Sequence, residues 1–182
     1  MPRLIDTNVM LASNAHSKGF PEEADITPRD IDLRKNVFEY LEEFSNSNDS
    51  IVLDIDNHIE NEYEGRMGSL QSSYPQEFGM ILLQNKKDSD QVAWVSIEVD
   101  HEGFGVIDAG LDPLQIDKAD RKWVAAARYH FQYEGLFPPI AYAGETDWYK
   151  CQEDLKKHGY CFHQLLPNEW YDAILAGKKK GK

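Results

Sequence analysis

Asp6 closes the opening apolar run of LIDTNVML, Leu4 to Leu11, and apolar residues return at once after Asn8. A carboxylate at the mouth of a buried strand is costly to desolvate, and such a group is usually kept where a cation needs it. Asp147, in YAGETDW, stands in the same relation to the apolar run PPIAYAG. Two further stretches put acids near helix starts. DIDNHIENEYEGR carries Asp54, Asp56, Glu60, Glu62 and Glu64, and DKADRKWVAAAR carries Asp117 and Asp120. Hard divalent cations take oxygen ligands, and Mg2+ accepts one or two carboxylates while keeping several waters. A bound ion lowers the pKa of its water, and two ions ~4 Å apart can stabilise both the attacking and the leaving oxygen of a displacement. Each acid also has a local role open to it. Asp, Thr and Asn all cap helices, and Asp117-Lys-Ala-Asp120 is a capping-box pattern. Asp147 can cap a helix starting at Trp148, with Glu145 beside it sharing the site, and runs such as Glu60-Glu62-Glu64 are ordinarily a solvated face.

The elements that must position these acids alternate along the chain. Leu4–Ile5 reads as a short strand, and residues 14–26 as a polar loop. TPRD starts a helix, with Thr27 as N-cap, Pro28 in the first turn and Asp30 completing the pattern. Val37, Phe38, Leu41 and Phe44 continue it at helical spacing. IVLDI, 51–55, is a buried strand, followed by a helix from Asn57 to Met67 with Ile59, Tyr63 and Met67 on one face. A helix lies within Tyr74–Gln84, and NKKDSD breaks it. AWVSIEV, the turn DHEG and FGVID predict a β-hairpin over residues 93–108. Residues 117–131 form a helix with Trp123, Val124, Ala127 and Phe131 facing inward. Then come the strand PPIAYAG, a helix closed by Gly159, the strand YCFHQLL and a terminal helix at NEWYDAIL. Such alternation predicts a parallel sheet with helices on both faces. Ligands of such sheets bind beyond the carboxyl ends of the strands, where the strand order reverses. Residues 1–176 read as one domain, and the basic run 177–182, GKKKGK, as a flexible tail.

Taken in order, four motifs resemble the PIN-domain ribonucleases: DTN at Asp6, EY at Glu62–Tyr63, DRKWVAAA at Asp120 and TDW at Asp147. The resemblance spans nearly the whole chain. It implies a three-layer αβα fold with a central, mainly parallel sheet, and an acidic pocket of Asp6, Glu62, Asp120 and Asp147 as catalytic and metal-binding residues. The pocket would take one or two Mg2+ or Mn2+ ions, which activate a water for in-line attack on an RNA phosphodiester. The EY match alone selects Glu62 from its helix, and the family's acid directly before the RKWVAAA run selects Asp120 over Asp117. Thr7, Asn8 and Thr146 are expected as supporting donors or turn formers, and Arg121 and Lys122 as phosphate contacts. Four converging carboxylates repel strongly without a cation. An endoribonuclease of toxin-like or RNA-processing type follows from the resemblance, with RNA as substrate, a protein regulator or antitoxin as partner, and homodimers. The long gap between Glu62 and Asp120 departs from the small toxin members. A non-catalytic PIN-like binding module is one alternative. Another is a haloacid-dehalogenase-type phosphatase, because VLDIDNHI resembles its start with Asp54 as nucleophile and Asp56 as acid, although His58 departs from that pattern.

Composition narrows the remaining classes. With 182 residues, 41% hydrophobic and 12% aromatic, the chain suits one globular domain with a full core. No apolar run approaches the ~20 residues of a membrane span. MPRLIDTN enters a strand-like run with no charged-then-apolar leader. Cys151 and Cys161 form no CxxC or Cys/His pattern. That argues against a zinc site or disulfide framework and fits a reducing cytoplasm. A formal net charge of -13 counts against binding nucleic acid through a broad basic surface. It suits a carboxylate cluster whose field a metal inverts.

Overall fold

The computed structural model describes residues 1–17, 26–68, 77–114 and 116–180. Parallel strands covered on both faces read as short unbroken apolar runs. The two central strands, β1 (Leu4–Ile5) and β4 (Ile140–Tyr142), are buried at every residue. They pair in parallel, Leu4 opposite Ile140 and Ile5 opposite Ala141, and β4 pairs onward with β5 (Phe162–Gln164). β2 (Ile51–Asp54) pairs in parallel with β3 (Val92–Val95). The resulting sheets of three and two strands meet at a parallel bridge between Arg3 and Ile51, where the Val52 N–H donates to the Arg3 carbonyl at 2.9 Å. Across that bridge the order runs β3-β2-β1-β4-β5. The chain builds outward from β1, then returns to lay β4 on the other side of it. The reversal therefore falls between the carboxyl ends of β1 and β4.

The fold is mixed α/β, with helices α1 (Thr7–Ser17), α2 (Ile31–Asn46), α3 (His58–Gly68), α4 (Phe78–Asp88), α5 (Arg121–Glu134), α6 (Thr146–Lys157) and α7 (Asn168–Lys180). α1 packs on α2 and α4, and α3 and α5 lie against β2. Ile59, Tyr63 and Met67 of α3 are fully buried, as the spacing predicts, with Val37 and Leu41 of α2 and Trp123, Val124 and Ala127 of α5.

Several boundaries differ from the sequence reading, each for a local reason. α1 runs to Ser17, so residues 14–17 are helical, and 18–25 of the expected loop lie outside the described residues. α2 starts at Ile31, because the Asp30 carboxylate accepts from the N–H groups of Asp32 and Leu33 at 2.9 and 3.1 Å. The segment before it is held by the buried Arg34 guanidinium, which donates to the Ile26 and Pro28 carbonyls. α4 continues through Lys86 and Lys87, where a break was expected, and Tyr74–Gln76 lie outside the described residues. α7 carries the backbone through Lys180, and residues 181–182 are not described. Phe131 is 37% exposed and stacks on Phe137 at 4.2 Å, so its partner lies beyond the end of α5.

The expected hairpin over 93–108 is a turn. Ala93–Val95 pair with β2, and the remainder holds a single antiparallel bridge, Val99 to Gly105. The Asp100 carboxylate closes the turn by accepting from the N–H groups of Glu102 and Phe104. Ion pairs Lys118–Glu102 and Arg128–Asp108 fasten the segment to the region around α5. Gly105 lies so close to the start of α5 that a Cβ there would stand 2.8 Å from the Lys122 nitrogen and 2.9 Å from the Arg121 carbonyl carbon. Backbone cannot yield as a side-chain tip can. Gly105→Ala is expected to cost about 1–3 kcal/mol. Gly65→Ala, in an open position on α3, is expected to add roughly 0.5–1 kcal/mol. Thermal and denaturant unfolding of the two variants should move in opposite directions.

Candidate functional site

Asp6 is the first residue after β1 and is 2% exposed. Its N–H donates to the Ala141 carbonyl of β4 at 2.9 Å, so the strand pair fixes its backbone. Oδ1 accepts the Asn8 N–H at 2.8 Å, the bond of a helix N-cap to α1, and Oδ2 accepts the Trp148 indole N–H at 3.2 Å. The cap role and the place in a buried acidic cleft thus belong to one carboxylate.

Three other parts of the chain bring acids to the same place. On α3, Glu60 turns away to Lys87 at 2.7 Å and Glu64 is exposed, leaving Glu62 to face the cleft. The Thr7 hydroxyl donates to Glu62 Oε1 at 2.5 Å, and the Lys122 ammonium pairs with Oε2. The neighbouring Tyr63 hydroxyl donates to the Ile5 carbonyl, holding α3 against the end of β1. Ahead of α5, Asp117 accepts the Ala119 N–H at 2.9 Å and so caps a 3-10 turn over Lys118–Asp120. Asp120 stands at the N-terminus of α5 with no side-chain cap bond. Beyond β4, Glu145 caps α6 by accepting the Asp147 N–H at 3.1 Å, and the Asn8 side-chain amide reaches its other oxygen at 3.5 Å.

These residues line one cleft of about 420 Å3: Asp6, Glu62, Asp117, Asp120, Glu145 and Asp147, with Thr7, Asn8 and Arg66 among them. Asp147 sits at the rim, about half exposed and ion-paired with Lys150. The charges of Glu145 and Glu62 each bear on both Asp6 and Asp120. Burial, then the charges of Glu145 and Glu62, push the Asp6 carboxyl up to about 7 against the opposing bonds from Asn8 and Trp148. Burial, then the charges of Asp6, Glu145, Asp117 and Glu62, push Asp120 up to about 8. Among the described residues, no three His, Cys, Asp or Glu side chains are already gathered at metal-ligating spacing. The chemistry of the donor set nonetheless fits a hard cation. Every donor is a carboxylate oxygen, and Asp6 and Asp120 carry charges that the site disfavours unless a cation offsets them.

The remaining expected residues are placed as follows. Thr7 and Asn8 donate to Glu62 and Glu145, and Thr146 is buried at 4% exposure. Lys122 is engaged by Glu62 and by the Ala119 carbonyl, and Arg121 is half-buried outside the lining of the cleft. Asp54 accepts from the N–H groups of His58 and Ile59 at 2.9 and 2.8 Å, so both its oxygens serve the start of α3. Asp56 is exposed, and neither lines the cleft. Trp148 is a core residue that also steadies Asp6. The one signal for that role is its position in the first turn after β4. Compared with protein-family models, curated proteins and solved structures, the chain matches none.

Both raised carboxyls bind protons more tightly in the folded chain than in the unfolded one, where an aspartate titrates near 3.8. Their contribution is therefore full below that value and is lost as pH rises through about 7 and 8. In EDTA, unfolding free energy is expected to fall by on the order of 1–3 kcal/mol between pH 5 and pH 8. Asp120→Asn should flatten that slope, and saturating Mn2+ should reverse it. Denaturant unfolding across this pH range, with and without metal, checks all three.

Proposed function

We propose that the chain is a metal-dependent nuclease of PIN type, acting on RNA phosphodiester bonds, in a three-layer αβα arrangement around the β3-β2-β1-β4-β5 strand order. One observation carries this reading: acids from four separate parts of the sequence line a single cleft at the carboxyl ends of β1 and β4. Support comes also from the order of the motifs and from the burial of both Asp6 and Asp120, the latter against the charge of Asp6.

On this reading Asp6, Asp120 and Glu145 hold Mg2+ or Mn2+, with Asp147 at the rim. The bound ion supplies a water of lowered pKa and charge stabilisation at the phosphate. The protein's own part is positional. Asn8 and Trp148 aim the two Asp6 oxygens, and Glu145 is steadied by the start of α6. Thr7 holds Glu62, whose negative charge Lys122 balances. Burial beside the sheet end keeps water away from the back of the site, so charges there act in a low dielectric.

Labelled single-stranded RNA incubated with Mn2+, with Mg2+ and with EDTA should be cut only with metal. Asp6→Asn and Asp120→Asn should each lower the rate at least about 100-fold, while Asp56→Asn leaves it unchanged. Cleavage of single-stranded DNA alone would assign the same site to the other backbone. Metal binding with no cleavage of either would leave a binding module, and activity on a simple aryl phosphate lost with Asp54→Asn would restore the phosphatase reading.

A further inference from the structure

Two kinds of lysine meet the acids of the cleft. Lys150 reaches Asp147 along the surface of α6, with both side chains about half exposed, and such pairs contribute little and open readily. Lys122 is different. Its side chain is 13% exposed, its ammonium is shared between Glu62 Oε2 and the Ala119 carbonyl, and it lies 5.8 Å from the Trp123 ring centroid. Its backbone nitrogen is backed by Gly105 of the turn, leaving no room even for a methyl group. The remaining Glu62 oxygen accepts the Thr7 hydroxyl, so both oxygens are occupied by the protein itself. Among the described residues no lysine or arginine is ion-paired with Asp6, Asp120 or Glu145, and the carboxylates of Asp6 and Glu145 are met by neutral N–H donors.

The cleft is therefore divided. One side, at Glu62, carries a built-in positive charge held from several directions. The other, at Asp6, Asp120 and Glu145, carries negative charge that no ion pair among the described residues offsets. We propose that Lys122 is the resident cation of the Glu62 side, so that the protein binds a single divalent ion, on the Asp6–Asp120–Glu145 side. This rests on the reading of the cleft as a divalent-cation site. An ammonium is a compact point charge on a flexible stem, and at Glu62 it does the neutralising that a second ion would do. It also keeps Glu62 from serving as a ligand. Removing the charge while keeping the stem, as in Lys122→Met, frees one Glu62 oxygen and opens a second ion position. Lys122→Arg keeps the charge and should keep the position closed.

The test counts Mn2+ on the full chain by titration calorimetry and by the electron paramagnetic resonance of free Mn2+, with folding checked by circular dichroism. One ion is expected on the wild type and on Lys122→Arg, and two on Lys122→Met. Glu62→Gln should retain one, and Asp6→Asn should lose it or bind it at least about tenfold more weakly. Two ions on the wild type, one on a folded Lys122→Met, or loss of the ion in Glu62→Gln would each overturn the proposal while leaving the cation site standing. No Mn2+ on folded wild type would overturn both. Should Lys122→Met fail to fold, the wild-type count and Glu62→Gln still decide the matter.

Discussion

Holding the Asp6 carboxylate out of water at the junction of two parallel strands is the constraint around which the rest of the site is arranged. The backbone there is fixed by the bond to Ala141, one oxygen is bound by the first turn of α1, and the other by Trp148 of α6. Elements that follow β1 and β4 thus converge on one side chain. A buried carboxylate costs least when neutral or when a cation stands near it. The neighbouring acids make the neutral form more favourable still in the absence of metal, and Trp148 and Asn8 resist that by donating to the charged form. The balance leaves a group poised near neutrality, sensitive to any cation that enters.

The strands and most helices were legible because their signals are local. Period and apolar content sufficed for Ile59, Tyr63 and Met67, and for the short runs that became β1, β2, β4 and β5. The carboxyl-end location of the cleft followed from alternation alone. Other features depend on contacts that no local pattern encodes. Val92–Val95 looked like half of a hairpin because its partner, β2, lies some forty residues earlier in the chain. Only the EY match selects Glu62 over Glu60 and Glu64, and the physical reason, the rotation of α3 that the Tyr63 bond to β1 holds, rests on a long-range contact. Glu145 was seen only as a neighbour of Asp147, because cap and rim positions at the start of a helix differ by two residues and not by composition. Lys122, expected to meet a phosphate, proved to meet a carboxylate.

The acidic balance of the whole molecule takes on a specific meaning beside this cleft. A chain of net charge -13 with six carboxylates around one opening offers little long-range attraction to a polyanion. On the proposed function, a phosphate would enter once a cation has changed the sign of the local field. The turn over 98–106 contributes indirectly, since its contact at Gly105 supports the backbone of Lys122, which is ion-paired with Glu62.

Tyr63 and Glu62 are adjacent residues with separate tasks, one gripping the carbonyl just before Asp6 and the other reaching Thr7 just after it. Three consecutive residues at the strand end, from Ile5 to Thr7, are thereby clamped to one turn of α3. A shift of that helix along its axis moves both grips together. Substitutions at positions 7, 62 and 63 will consequently not act independently: their effects should be strongly non-additive, and the interaction free energy belongs to the clamp as a unit and not to any one of its side chains.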